Sequence, residues 1–169
     1  MSSVVTSPGA AAKNPHPDVH DIRDLLSYRL ARLGAGNERA GQHWMGKHFG
    51  VKITEFRVLG LTCALEPLVF REAARLLVMD KGQLSRIVKA LVESGLVSTT
   101  PLAGDLRTVE LTATPKGRAL MDEMMAVATA RNRMIVADLT AAETRELFRL
   151  LEKIQTNVDV RIEELGVGR

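Results

Sequence analysis

Apolar residues recur every three or four positions along most of this chain of 169 residues, a spacing that predicts a mainly helical protein. From Asp18 the pattern predicts an N-terminal helix that Gly34 and Gly36 interrupt, and a second periodic stretch covers residues 38–49. Gly50 is typical of a helix end, because glycine readily adopts the left-handed backbone conformation that closes a helix. The N-terminal third is therefore expected to be helical.

The middle of the chain is expected to hold three more helices. Thr54 is predicted to cap the first of them through its side-chain oxygen. A short helix follows over residues 69–77, and after a four-residue turn a longer one covers residues 79–96. Asp80 with Gln83 three positions later has the spacing of a capping box at the start of that last helix. The order of the two later segments is that of a helix-turn-helix.

A β-hairpin is predicted immediately after Gly95, which is expected to end the preceding helix. Residues 96–102 and 107–113 are short runs in which Val, Thr and Leu alternate with other residues. Residues 103–105, Ala-Gly-Asp, separate the two runs and have the composition of a turn.

Two long helices are predicted after the hairpin. Thr114 followed by Pro115 is typical of a helix start and predicts a helix to about residue 138. Thr140 with Glu143 forms a second capping-box pattern, which predicts a last helix ending near Leu165. That helix carries an apolar stripe longer than a small core needs, formed by Leu147, Leu150, Leu151, Ile154, Val158 and Ile162. Together with the apolar stripe over residues 22–33, it favours an interface with a second copy of the chain.

Composition narrows the class of protein only moderately. The chain is 46% hydrophobic and 25% charged, and its net charge of +3 permits an acidic partner such as DNA without requiring one. A single cysteine rules out an intrachain disulfide. Neither a run of 18 apolar residues nor a secretory signal pattern is present, so we expect a cytoplasmic protein that does not enter a membrane. Residues 1–17 are expected to form a disordered tail.

The helix over residues 79–96 carries the main candidate binding surface. Its apolar positions Leu84, Ile87, Val88 and Leu91 are predicted to point inward. Such a helix fits the DNA major groove, where arginine can bind guanine, glutamine can bind adenine, and a helix N-terminus favours phosphate. Taken alone, the polar face is more typical of an ordinary amphipathic helix, but the preceding turn and the following hairpin favour DNA binding. The candidate residues on this helix are Lys81, Gly82, Gln83, Ser85, Arg86 and Lys89.

The stretch ITEFRVLGL…REAARLLVMDKGQLSRIVKALVESGLV…GDLRTVELTATPKGRAL resembles the MarR family of winged-helix transcription regulators. The resemblance covers about residues 53–120 closely and the flanking helices only in pattern. Its specific parts are Ser85-Arg86, Leu91-x-x-x-Gly95-Leu96-Val97, Asp105-x-Arg107 and Thr114-x-x-Gly117. The chain departs from the family pattern at Val78, where a turn glycine is usual, and at Ala113, where a leucine is usual. Thr99 or Thr100 stands where a basic side chain is frequent, which predicts fewer phosphate contacts from the first wing strand.

The resemblance implies a mostly α (α+β) fold, in which a winged helix-turn-helix lobe joins a helical dimerisation region formed by the N- and C-terminal helices. We accordingly assign residues 18–50 and 119–169 to dimerisation and residues 51–118 to DNA binding. The implied partners are a second copy of the chain and a pseudo-palindromic double-stranded operator. Arg107 is expected in the minor groove, held by Asp105 through a charge-assisted hydrogen bond.

The resemblance also implies a small, often aromatic or acidic, effector between the two regions. The candidates for contacting it are Tyr28, Arg32, His43 and Trp44, for which packing and interface salt bridges are at least as good an interpretation. Regulation would then act through different affinities of the effector for two spacings of the DNA-binding lobes. The hypothesis is a ligand-responsive repressor.

Other function classes remain as alternatives. A helical protein–protein adaptor would use the terminal helices without needing the polar helix face or Asp105-x-Arg107. A redox regulator would use Cys63, but this residue shares a helical face with Phe56 and Leu59 and is expected to be buried and inert.

His16 and His20 have helical spacing, but no further ligands complete a metal site. No catalytic motif is present, so no enzyme activity, metal or cofactor is predicted.

Overall fold

The computed structural model describes residues 18–102 and 104–166, apart from the side chains of residues 105–107 and 163. The helices of the described part are α1 (Leu26–Phe49), α2 (Ile53–Ala64), α3 (Phe70–Leu76), α4 (Lys81–Glu93), α5 (Pro115–Ile135) and α6 (Ala141–Glu164). A 3-10 turn at Ile22–Asp24 precedes α1. Three short strands complete the fold: β1 (Leu68–Val69), β2 (Val97–Leu102) and β3 (Asp105–Ala113). The predicted mostly helical fold with a small antiparallel sheet is confirmed. None of the helices within the described part is both long and apolar enough to cross a membrane.

Helix α1 runs without a break through Gly34 and Gly36, so the predicted interruption at these glycines is wrong. Glycine inside a helix costs about 1 kcal/mol relative to alanine but does not prevent the helix from forming. The helix ends where predicted, because Gly50 takes the left-handed conformation with φ 65°.

Helix α2 begins at Ile53, so the prediction that Thr54 caps it is wrong. The backbone N–H of Ile53 donates instead to the side-chain oxygen Oε1 of Gln42, at 3.0 Å. The N–H of Lys52 donates to the carboxylate of Glu55, at 2.9 Å. These two acceptors satisfy donors at the start of the helix, and Thr54 therefore lies inside the first turn.

The small sheet has the strand order β1-β3-β2, with both pairs antiparallel. Strand β3 pairs with β1 through Leu68 and Leu111, and with β2 through Val97 and Ala113. The hairpin β2–β3 was predicted, whereas β1 was not, because two residues are too short to show an alternating pattern. Ala113, which replaces the leucine usual in the family, is buried beside this pairing.

The chain divides into two compact units, one up to Arg57 and one from Val58 onward. In the second unit the apolar sides of α2, α3, α4, α5 and the sheet form a buried core. Its fully or almost fully buried members include Val58, Leu59, Leu68, Ala73, Leu84, Leu91, Leu111 and Met124. The hydroxyl of buried Thr62 donates to the carbonyl oxygen of Val58, so this polar group is satisfied inside the core.

The last two helices start as predicted. The side chain of Thr114 accepts from the N–H of Gly117, and Pro115 occupies the first turn of α5. At the start of α6 the hydroxyl of Thr140 accepts from the N–H of Glu143, whose carboxylate accepts from the N–H of Thr140 in return. Helix α5 ends at Ile135, slightly before the predicted end.

Candidate nucleic-acid interface

Helices α3 and α4 and the turn between them form the candidate reading unit. Helix α3 ends in a Schellman arrangement, in which Met79 N–H donates to Ala74 O at 3.0 Å and Val78 N–H donates to Arg75 O at 3.2 Å. Val78 carries the left-handed conformation that this arrangement needs, with φ 50°. The turn is thus closed despite the absence of the glycine usual in the family.

Asp80 is the N-cap of α4, as predicted. Its carboxylate accepts from the N–H of Gln83 at 2.8 Å, which satisfies one of the otherwise unpaired donors of the first turn. A Cβ atom on Gly82 would lie 3.2 Å from the same carboxylate, a tighter approach than most Cβ atoms make. Glycine at this position therefore leaves room for the cap.

The apolar side of α4 faces the core as predicted, and this leaves a polar side in solvent. Leu84, Val88 and Leu91 are buried, and Ile87 is half-buried. The predicted DNA-binding residues Lys81, Gly82, Ser85, Arg86 and Lys89 are exposed, and Gln83 is half-buried.

The exposed candidates of α4 lie on one side of the helix. Gly82, Ser85, Arg86 and Lys89 occupy positions i, i+3, i+4 and i+7, which places them next to each other on one face of the helix. Lys89 also pairs with Glu93 at 3.8 Å, but both side chains are largely exposed. An exposed pair of this kind is worth little, so Lys89 can exchange Glu93 for a phosphate at small cost.

The wing is formed by β2 and β3. Gly104 in the connection has φ 85°, a left-handed conformation that favours glycine. Asp105 and Arg107 belong to β3, but their side chains lie outside the described part of the chain, so their predicted ion pair stays a prediction. Thr99 and Thr100 are exposed on β2, and Thr100 is paired with Glu110 across the hairpin. The middle of this wing therefore presents no cation from β2 to a phosphate.

The start of α5 is bonded to the end of α4. Thr114 Oγ1 donates to Gly95 O at 2.7 Å, and Lys116 Nζ donates to Ser94 O at 2.8 Å. These carbonyls stand at the C-terminus of α4, where a lysine ammonium is also favoured by the helix dipole. Gly117 completes the contact, because its Cα lies against the backbone of Leu96 with no room for a side chain. This arrangement explains why threonine and glycine occur with the spacing Thr114-x-x-Gly117.

The four effector candidates lie on a single helix rather than on two. Tyr28 is half-buried, and Arg32, His43 and Trp44 are exposed along α1. Arg32 and His43 are 11 residues apart, which separates their backbones by about 16 Å along the helix axis. Trp44 stacks on His48 with ring centroids 5.0 Å apart. Their proposed role in effector binding stays a prediction, and α1 alone does not bring all four to one point.

Cys63 was predicted to be a buried and inert thiol. It is half-buried rather than fully buried as predicted. Partial burial raises the pKa of the Cys63 thiol, the carboxylates of Glu66 and Asp122 add to the rise, and Arg118 opposes it. A raised pKa means less thiolate at neutral pH, which disfavours both oxidation and metal binding.

No group of three or more metal-ligating side chains occurs among residues 18–102 and 104–166. His16 lies outside that part of the chain. The backbone N–H of His20 donates to the carboxylate of Asp24 near the start of α1.

Arg71 is an exposed cation that was not singled out from the sequence. Arg71 lies in the first turn of α3 and is exposed. In helix-turn-helix proteins the first helix crosses the DNA backbone, so a cation on its outer side is placed to contact phosphate. The periodicity of α3 would have identified Arg71 as an outward position.

Comparisons with known proteins agree with this architecture. A family model described as MarR family matches residues 49–108. An HTH-type transcriptional repressor from Mycobacterium bovis is 30% identical over 129 residues, which cover 76% of this chain and 92% of that protein.

Solved structures show the same fold. A MarR/EmrR family transcriptional regulator from Acinetobacter sp. ADP1 aligns with a TM-score of 0.76 and 24% identity, covering 82% of this chain and 98% of that one. CouR from Rhodococcus jostii RHA1, bound to p-coumaroyl-CoA, aligns with a TM-score of 0.71 and 24% identity. That alignment covers 80% of this chain and 95% of CouR.

Proposed function

Because the chain belongs to the MarR family of winged helix-turn-helix regulators, which bind DNA and are not enzymes, we propose that it represses transcription from a pseudo-palindromic operator as a homodimer. One observation carries the proposal: the outer side of α4 is polar, basic and exposed, while its inner side is buried. The M. bovis relative, which is named a repressor, supports the direction of regulation.

Helix α4 is the proposed recognition helix. Arg86 is assigned to a guanine, which it can bind with two hydrogen bonds, and Gln83 to an adenine. Ser85 is suited to a base edge or a phosphate. Lys81 and Lys89 are eight residues apart, about 12 Å along the helix, which corresponds to three or four base pairs. The two lysines are therefore suited to bind phosphates at the two ends of the contacted segment. Gly82 has no side chain and is suited to let the helix backbone approach a phosphate closely.

The wing is proposed to contact the neighbouring minor groove. Arg107 is the candidate for insertion, because arginine is attracted to the negative potential of a narrow minor groove. Asp105 is the candidate for orienting it. The threonines of β2 offer hydrogen bonds without charge, so we expect most of the phosphate affinity to come from α3 and α4.

Homodimerisation is proposed through the terminal helices, residues 18–50 and 119–169, with residues 51–118 as the DNA-binding lobe. The apolar stripe of α6 supports this assignment, since Leu150 is 42% and Val158 is 45% exposed in the single chain. In the N-terminal unit, Ile22 and Leu33 are also largely exposed. Exposed apolar surface on this scale is typical of protein interfaces. Two half-sites of an operator then match the two-fold symmetry of the dimer.

A small aromatic acid is the proposed effector class, with Tyr28, Arg32, His43 and Trp44 as the candidate contacts. CouR, which has the same fold, was solved with p-coumaroyl-CoA, and this supports a small-molecule input for the present chain. A ligand that favours a lobe spacing unsuited to the operator would lower operator occupancy. A thermal-shift screen of aromatic acids tests this, since a binder raises the melting temperature by mass action and should then release the DNA.

Arg86→Ala tests the DNA-binding assignment. A duplex is first selected by the wild-type protein from a random DNA pool, and binding is then measured by fluorescence anisotropy. Loss of the bidentate contact should weaken specific binding by about 1–3 kcal/mol per half-site. Arg133→Ala, which removes another exposed arginine from the last turn of α5, is the control. Sedimentation velocity first shows whether this variant keeps the oligomeric state of the wild type, and its affinity should then change little. Equal affinities for the two variants, or no enrichment of any duplex, would exclude α4 as the reading surface and favour the adaptor alternative.

A further inference from the structure

Val78 stands out among the helix ends of this chain. Helices α1 and α4 both end with a left-handed glycine, Gly50 at φ 65° and Gly95 at φ 67°. Helix α3 ends with the same hydrogen-bond pattern as α4, in which the residue after the left-handed one donates back to a carbonyl five positions earlier. At the end of α3, however, the left-handed residue is Val78 and not a glycine.

The valine conformation is costly: two backbone hydrogen bonds at the end of α3 hold it, but burial of the side chain does not offset the cost. A β-branched residue at positive φ is an outlier, because its Cβ crowds the following carbonyl group. The side chain of Val78 is 85% exposed, so it gains almost no burial in return. Strain of this kind is concentrated at functional sites, where the residue serves an interaction that the isolated protein does not show.

The position of Val78 suggests what that interaction is. It lies three residues before Lys81, which limits the distance between their Cα atoms to about 11 Å. Asp80, the cap of α4, lies between them. An exposed apolar side chain at this place stands next to the N-terminal half of the recognition helix, the part that reaches base edges in the major groove.

From this placement we propose that Val78 is a specificity-determining residue that packs its two methyl groups against the C5-methyl group of a thymine. The thymine methyl is the apolar group that the major groove displays, and apolar side chains recognise it by contact. The proposal rests on the proposed DNA-binding function. It adds a thymine preference at the edge of each half-site that none of the polar residues of α4 would supply.

Replacement of thymine by deoxyuridine removes the C5-methyl group and nothing else, so it is the direct test. In the selected duplex, each symmetric pair of thymines is replaced in turn, and binding of the wild-type protein and of Val78→Ala is compared. The wild-type protein should lose about three- to tenfold in affinity at one pair of positions, the scale expected for a buried methyl contact. Val78→Ala should bind the thymine and deoxyuridine duplexes equally at that pair.

Val92→Ala is the matched control, because it removes the same methyl groups from an exposed valine near the other end of α4. It should keep the wild-type preference for thymine. Val78→Gly should melt at a higher temperature than the wild type, since the strain is relieved, and should also lose the thymine preference.

The outcomes separate this proposal from the proposed function. A thymine preference that survives unchanged in Val78→Ala and Val78→Gly, or a wild-type protein that is insensitive to every thymine replacement, overturns the role of Val78. In that case Arg86→Ala still decides whether α4 reads DNA. Failure to select any duplex overturns both.

Discussion

Gly117 lies against the backbone of Leu96 so closely that a Cβ atom on it would overlap the Leu96 carbonyl oxygen and lie 3.0 Å from its carbonyl carbon. That oxygen already accepts from the N–H of Thr114 at 3.0 Å. Backbone atoms on both sides fix this contact, so it cannot relax as a flexible side chain would. The first turn of α5 is therefore held directly on the segment that follows α4.

Gly117→Ala should destabilise the lobe by about 1–3 kcal/mol, because the added methyl group must push two backbone segments apart. The measurement is the free energy of unfolding in urea. Gly34→Ala in α1 is the control, since a Cβ there meets no atom within 4 Å. That variant should gain about 0.5–1 kcal/mol from its better helix propensity. If both variants change the free energy of unfolding in the same direction, the expected clash between a Cβ at residue 117 and the Leu96 backbone is contradicted.

Leu151→Glu should convert the protein from a dimer to a monomer of 18.5 kDa, as measured by sedimentation velocity. Leu151 is 38% exposed in the single chain and lies in the apolar stripe of α6, so a carboxylate there remains solvated in the monomer and is buried in the proposed dimer. Lys153→Glu, two residues along at an exposed position, is the control for the added negative charge. A Leu151→Glu protein that still sediments as a dimer would place the interface elsewhere.

Glu66→Gln should make stability less sensitive to acid. The hydrogen-bonded guanidinium of Arg118 holds the pKa of the Glu66 carboxyl below its usual value of 4.5. A carboxyl group with a lowered folded-state pKa contributes stability that is present above the unfolded pKa and is lost as pH falls through the folded one. Melting temperatures from pH 7 to pH 3 should therefore fall less steeply below about pH 4.5 in Glu66→Gln than in the wild type. Arg118→Gln should produce the same flattening, and parallel curves for all three proteins would contradict the pairing.

Cys63 should react slowly with iodoacetamide at neutral pH compared with a free cysteine, because the raised pKa of its thiol leaves little thiolate. Labelling followed by mass spectrometry gives the rate. Peroxide treatment should leave DNA binding of the wild type and of Cys63→Ser the same. Peroxide-induced release of DNA by the wild type alone would establish the redox alternative in place of a ligand-responsive regulator.

Features that depend on a few neighbouring residues could be predicted from the sequence. Asp80, Gly95 and Thr114 act as helix caps in the predicted way, because a cap needs only one suitable side chain or a glycine at the right offset. The inward positions of α4 were also predicted, since a period of 3.6 residues fixes which side chains share the apolar side. These local rules determine the recognition helix almost completely.

Features that depend on distant partners could not be predicted. The start of α2 is decided by Gln42, eleven residues before the N–H of Ile53 that it accepts from, and not by the adjacent Thr54. The continuity of α1 through Gly34 shows that a glycine inside a helix lowers stability without ending it. The strand β1 is defined by its pairing with β3, a partner that is distant in sequence.

The candidate site also has one part that could be predicted from the sequence and one part that could not. Exposure of Ser85, Arg86 and Lys89 follows from helical periodicity and is confirmed. Which base or phosphate each one contacts depends on the DNA and stays a prediction, as does the pairing of Asp105 with Arg107. The family pattern pointed to Val78 as a departure, but its strained and exposed conformation became visible only in three dimensions.

Thr114 and Lys116 donate to the carbonyls of Gly95 and Ser94 just after α4, and these bonds tie the proposed recognition helix to the first turn of α5. A tilt of α4 on its own would break both bonds and open the contact at Gly117. We therefore expect the proposed effector to move α4 and the first turn of α5 together. Induction should consequently leave hydrogen exchange at the junction of α4 and α5 unchanged, with the switching motion confined to segments outside it.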